Sequence, residues 1–233
     1  MPDLSRAGRV LFGLAVAGFG ILSLAHLLGG PKIGPPWEAS EPVWTYVSGA
    51  ILLVAAAGIL ADKKVSQVSM LLAALALVRA LVVYAPRLIA DPADSRPWTS
   101  GFEILALCGI ALVLADFLAV AGRFLFAAML VVIAVQHFNY AKFIATLIPN
   151  WIPEHLFWAY FVGVAFVASA LAILTGKYAR LACSLLGLMF LLWVLGLHGP
   201  RVVKAYGNGN EWSSLLVALA MCGGSWIFAG KSR

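Results

Sequence analysis

The sequence predicts an all-α integral membrane protein: eight transmembrane helices built as two tandem four-helix bundles in the same orientation. Three observations predict it. Hydrophobic residues make up 63% of the 233 and charged residues 11%, whereas soluble domains carry about 25% charged residues. Several apolar runs reach the roughly 20 residues that cross a hydrocarbon core about 30 Å thick. The chain also lies on itself without a gap when shifted by 114 residues. Mean hydropathy is +0.97, and too little chain lies outside the runs to form a separate soluble domain.

Hydropathy and helix breakers place the spans near 9–28, 42–61, 67–86, 98–115, 122–141, 155–174, 179–198 and 212–229. The first stops at Gly29-Gly30-Pro31 and the second before Lys63-Lys64. The third ends at Pro86-Arg87 and the seventh at His198-Gly199-Pro200-Arg201, where glycine loosens the last turn and proline stops it. Arg6, Arg9, an apolar run and Ser23-Leu24-Ala25 have the shape of a secretory signal. The repeat matches this span to an internal one, so it is expected to be retained.

Alternating the spans gives one side Arg6, Arg9, Lys63, Lys64, Arg123, Lys177, Arg180, Lys231 and Arg233 against Asp3, Asp62 and Asp116. The other side has Lys32, Arg87, Arg96, Lys142, Arg201 and Lys204 against Glu38, Glu41, Asp91, Asp94, Glu154 and Glu211. The positive-inside rule makes both termini cytoplasmic. The net charge of +6 therefore concerns topology. No clustered basic face suggests nucleic acid.

The repeat divides the chain into residues 1–115 and 116–233. Gly8-Arg9 meets Gly122-Arg123, Pro35 and Trp37 meet Pro149 and Trp151, and Trp44 and Tyr46 meet Trp158 and Tyr160. Pro86-Arg87 meets Pro200-Arg201, and Cys108-Gly109 meets Cys222-Gly223. An even number of spans per unit gives the halves one orientation, about an axis along the membrane normal.

Polar groups inside a bilayer are costly, so their positions are informative. The candidates for lining a ligand site are His26, Arg79, Tyr84, Glu103, Gln136, His137, Asn139 and His198. At about 1.5 Å rise per residue, all fall in the outer half of the membrane. Arg79 and Glu103 face Trp193 and Val217 across the repeat. Both charges are present in one half and absent from the other, which predicts a salt bridge between spans three and four, the alternative being an Arg79 that snorkels outward and a Glu103 that faces a wet crevice separately. Gln136, Asn139 and Tyr140 share one helix face, suited either to interhelical hydrogen bonding or to a ligand. Trp37, Trp44, Trp98, Trp151, Trp158 and Trp212 lie at outer ends, as an interfacial belt or as the walls of a pocket for a flat ligand. His198 stands where Tyr84 stands in the first half, while the proline and arginine that follow are retained.

Other chemistry finds little support. Cys108, Cys183 and Cys222 lie in apolar runs without a CxxC, as buried small hydrophobes do. His26, His137, His155 and His198 come from different spans without metal-ligand spacing, so no metal site is expected. No phosphate-binding or hydrolase motif occurs in a usable context.

The stretch "PNWIPEHLFWAYFVGVAFVASALAILTGKYARLACSLLGLMFLLWVL" (149–195), followed by "HGPR", resembles the DoxX family of bacterial membrane proteins. Members are typically single four-helix units. Here the second half is the better match and the first a divergent copy. The resemblance implies a helical membrane bundle associated with quinone-linked redox chemistry, as in the membrane subunit of archaeal thiosulfate–quinone oxidoreductase. Other members act in assembly or redox-homeostasis complexes. It carries over no catalytic residues.

Three functions follow as expectations. The first is a quinone- or redox-linked component, with His198, His137 or Tyr84 bonding a quinone carbonyl. With no redox centre encoded, it would be a subunit drawing electrons through a membrane partner. The second is a non-catalytic scaffold or assembly factor. The third is a small-solute transporter, although transporter sites usually lie at the midplane in broken helices.

Overall fold

The computed structural model describes residues 2–37 and 42–232, with side chains from residue 4 onward except that of Leu27. Glu38, Glu41 and Arg233 of the charge balance lie outside the described residues, as does the side chain of Asp3. Nine helices form among the described residues. They are α1 (Pro2–Leu27), α2 (Pro42–Leu60), α3 (Val65–Ala90), α4 (Ser95–Leu114), α5 (Ala119–Asn139), α6 (Ala141–Leu147), α7 (His155–Thr175), α8 (Ala179–Lys204) and α9 (Gly209–Lys231). All except the short α6 are long and apolar enough to cross a membrane. The chain is an all-α, multi-pass membrane protein.

Two helices run past the ends that their proline motifs predict. Proline has no N–H, and its ring collides with the carbonyl four residues earlier in an α-helix. Here the backbone widens instead of stopping. A π-turn occupies Ala80–Tyr84 in α3, and another occupies Val194–His198 in α8. The Ala85 N–H donates to the Ala80 carbonyl and the Gly199 N–H to the Val194 carbonyl, each five residues back. The wider turn accommodates Pro86 and Pro200, and both helices continue for another turn and more. Each π-turn also rotates its last residue, Tyr84 or His198, relative to an unbroken helix.

The spans close a ring in the order α1, α2, α3, α4, α5, α7, α8, α9 and back to α1, and α4 meets α9 across the middle. Those two are the most enclosed, with 61% and 67% of their apolar windows buried, against 22–44% for the other spans. Small residues allow this. A Cβ built on Gly122 of α5 would lie 2.5 Å from the Gly109 carbonyl oxygen of α4, and one on Gly8 of α1 would lie 2.6 Å from the Gly223 carbonyl oxygen of α9. Only glycine permits such a backbone approach, which is a common way for membrane helices to associate. The first span of each half thus packs on the fourth span of the other.

Local geometry recurs 114 positions apart. The Trp98 indole donates to the Pro92 carbonyl at 3.0 Å, and the Trp212 indole to the Tyr206 carbonyl at 2.9 Å. Asp94 caps α4 by accepting from the Arg96 N–H at 3.0 Å, and Asn208 caps α9 by accepting from the Asn210 N–H at 2.9 Å. Near the termini, Arg9 pairs with Asp62 and Lys231 with Asp116. These ties fasten α1 to the α2–α3 turn and α9 to the α4–α5 turn.

Candidate functional site

A cavity of about 150 Å³ opens among α4, α5, α7, α8 and α9. Phe166, Phe190 and Trp193 form its aromatic wall. Their rings meet edge to face or tilted, with centroids 5.5–6.0 Å apart, a favourable packing for aromatic groups. Glu103, His198 and Ser214 supply its polar groups. An apolar cavity of about this size holds a benzene-sized ligand.

Glu103 and His198 come from opposite halves of the chain. His198 is brought to the wall by the π-turn that ends at it. Its Nδ1 is buried and has no hydrogen-bond partner. A buried polar atom left so costs roughly 1–3 kcal/mol, a cost that an incoming donor or acceptor can relieve. Glu103 is not among the ion-paired residues of the described chain.

The expected Arg79–Glu103 bridge does not form. Arg79 turns to the loop after α1, where its Nε donates to the Pro36 carbonyl at 2.7 Å and its guanidinium lies 5.6 Å from the Trp37 ring centroid. Glu103 faces the cavity instead. The two charges are absent from the other half for separate reasons: one holds the loop and the other lines the cavity.

The remaining candidates do not line the cavity. Tyr84 is buried and its hydroxyl donates to the same Pro36 carbonyl at 2.9 Å. His26 Nδ1 lies 3.5 Å from the Gly30 carbonyl, at the turn that ends α1. His137 stands behind the wall, with Nδ1 2.9 Å from the Ile133 carbonyl and its ring edge-on to Phe166. Gln136 bonds Thr99 and Ser95 of α4, which resolves it to interhelical bonding. Asn139 is exposed. Arg201 donates to the Leu147 carbonyl at 3.2 Å and so ties down the end of α6.

The aromatic wall was missed at the sequence level. Phe166 and Phe190 resemble any other apolar residues of a span, and only their mutual packing marks them. The tryptophans divide: Trp151 is 74% exposed, as a belt residue would be, but Trp37 is 3% exposed and belongs to the interior. The three cysteines are free and buried. Outside the membrane, Arg96 beside Asp94 holds that carboxyl below its ordinary value of 3.8.

A family model described as a domain of unknown function, DUF8561, matches residues 126–215. That stretch contributes Met129 through Ser214 to the cavity and leaves Glu103 outside. No curated protein and no solved structure matches the chain.

Proposed function

We propose that this chain is a DoxX-like protein of the bacterial inner membrane, with both termini cytoplasmic. It binds a small ligand in the outer half of the bilayer as a quinone- or redox-linked component. One observation carries the reading: Glu103 and His198, from opposite halves, line a single aromatic-walled cavity. Ligand sites combine apolar walls with a few convergent polar groups in this way. A quinone headgroup is one flat ring with carbonyl oxygens. It matches the cavity in size, with Phe166 and Trp193 beside the ring and His198 toward an oxygen. The tail would extend among the helices toward lipid. Electrons would pass to or from a membrane partner, which this reading requires.

The recurrent geometry at 114 residues supports the two halves as a tandem duplication. In this reading the second half keeps the site, and the first supplies Glu103.

The experiment is solvent extraction of the purified protein, followed by titration with decylubiquinone in detergent. A copurified quinone, or saturable decylubiquinone binding weakened at least tenfold by His198→Ala, is the expected result. Protein without quinone that binds none, yet retains a stoichiometric membrane partner, would replace this reading with a scaffold. Solute uptake into vesicles would replace it with a transporter.

A further inference from the structure

The first half contains a buried segment in the place that the cavity occupies in the second. Residues 30–37 leave α1 and run inward, burying Ile33 and Trp37 at 1% and 3% exposure. Three residues hold the tip of this strap. Phe19 meets the Trp37 ring at 6.1 Å, Arg79 covers the same ring and bonds the Pro36 carbonyl, and the Tyr84 hydroxyl bonds that carbonyl too. Moved by 114, these three become Ile133, Trp193 and His198. All three line the cavity. Trp151, the counterpart of Trp37, lies outside at 74% exposure.

The strap is tied down by the backbone N–H and carbonyl of one residue, Gly34. The Gly34 N–H donates to the Gly209 carbonyl at 3.4 Å, and the Gly34 carbonyl accepts from the Ser213 hydroxyl at 3.0 Å. The counterparts of Gly209 and Ser213 are Ser95 and Thr99. In the second half both bonds are made by a side-chain amide: Gln136 Nε2 donates to the Ser95 carbonyl at 3.2 Å, and Gln136 Oε1 accepts from the Thr99 hydroxyl at 2.8 Å. The Gln136 carboxamide thus makes the two bonds that the Gly34 N–H and carbonyl make in the strap. Its own counterpart is Leu22, which cannot compete. Shape excludes the second strap as well. A Cβ on Gly34 would collide with Asn210, and the residue at the equivalent position is Ile148.

We infer that both halves carry the same socket, closed in the first by Pro36–Trp37 as a built-in ligand and kept open in the second by Gln136 and Ile148 together. The ligand of the open socket is therefore a smaller mimic of that segment: one flat ring, as the cavity of about 150 Å³ admits, with a hydrogen-bond-accepting oxygen at its edge facing His198. This rests on the reading that the cavity is a ligand site and adds the ligand class. Ser214 and Glu103 face the same space and would receive any hydroxyl that the ring carries.

The test uses acetophenone and ethylbenzene, which share a ring and nearly a shape but differ in the oxygen. Their binding to the full chain in detergent is titrated with 13C-labelled probes by NMR. The wild-type chain should bind one acetophenone, at least tenfold tighter than ethylbenzene, and His198→Phe should erase that preference. Trp37→Ala should raise the stoichiometry from one to two by vacating the first socket. Equal affinity for the two probes in the wild-type chain would overturn the ligand class whether or not any variant folds. A folded Trp37→Ala protein still binding one acetophenone would overturn the shared socket. Acetophenone that binds but is not displaced by decylubiquinone would sink the quinone reading and leave this inference standing. If neither compound binds, both fail.

Discussion

The ends of α3 and α8 share a backbone and differ in what sits against them. Both helices pass through a π-turn and a proline, and both present the turn's last residue to the interior. At α3 that residue is Tyr84, satisfied by the Pro36 carbonyl, and the space is filled by Trp37. At α8 it is His198, with an unpartnered nitrogen beside an open cavity. Similar scaffolding thus supports a packed core in one half and an open cavity in the other.

The contrast can be broken most forcefully at the strap. A Cβ on Gly209 would collide with the Lys32 carbonyl, so Gly209→Ala should lift residues 30–37 and destabilise the protein by about 2–3 kcal/mol. Ser95, its counterpart, already carries a Cβ, so Ser95→Ala should change stability by under about 0.5 kcal/mol. Reversible unfolding in detergent would compare them, and similar losses would contradict the asymmetry.

Next in size are the two π-turn residues. Tyr84→Phe removes the hydroxyl's bond to the Pro36 carbonyl, which keeps its bond from Arg79, and should cost about 1 kcal/mol. His198→Phe removes an atom that has no partner, and should leave stability unchanged or slightly raised. A loss at His198 as large as that at Tyr84 would reveal a structural bond there.

Gln136→Leu recreates the residue found at position 22. It should cost about 0.6–1 kcal/mol, typical of an interhelical hydrogen bond in a membrane. Ile148 still blocks the strap, so ligand binding should persist. Adding Ile148→Gly should then admit the strap and abolish acetophenone binding, and affinity already lost in Gln136→Leu alone would contradict that division of labour.

The smallest effect lies at the helix caps. Asp94 and Asn208 make the same backbone bond, but only Asp94 titrates. Its folded pKa is depressed by Arg96, so its contribution is present above the ordinary carboxylate value and is lost as pH falls through the lower, folded one. Hydrogen-exchange protection, taken relative to the intrinsic rate at each pH, should fall in the first turn of α4 in acid, while that of α9 should not. Asp94→Asn should make the two ends behave alike.

Much of this architecture is legible in the sequence. The spans follow from apolar length, because no other structure satisfies the backbone in lipid. The proline motifs mislead about where helices end, since a π-turn leaves no compositional trace. The co-absence of Arg79 and Glu103 was a sound signal with two causes, and charge reasoning alone cannot separate them. Gln136 looks like a polar residue seeking any partner. Its significance appears only beside the Gly34 peptide, 102 residues earlier in the chain.

The glycine crossings bear on how the protein is made. A ribosome delivers α1 first and α9 last of the eight spans, yet these are partners through Gly8 and Gly223. The ring therefore stays open until α9 has been delivered, with the Gly8 face resting against lipid that must later be expelled. The other crossing, between α4 and α5, joins neighbours in time and can set halfway through. A chain stopped after Lys204 should keep that first seam but leave α1 unclaimed, and pulse-labelling would then show its rapid removal by membrane proteases.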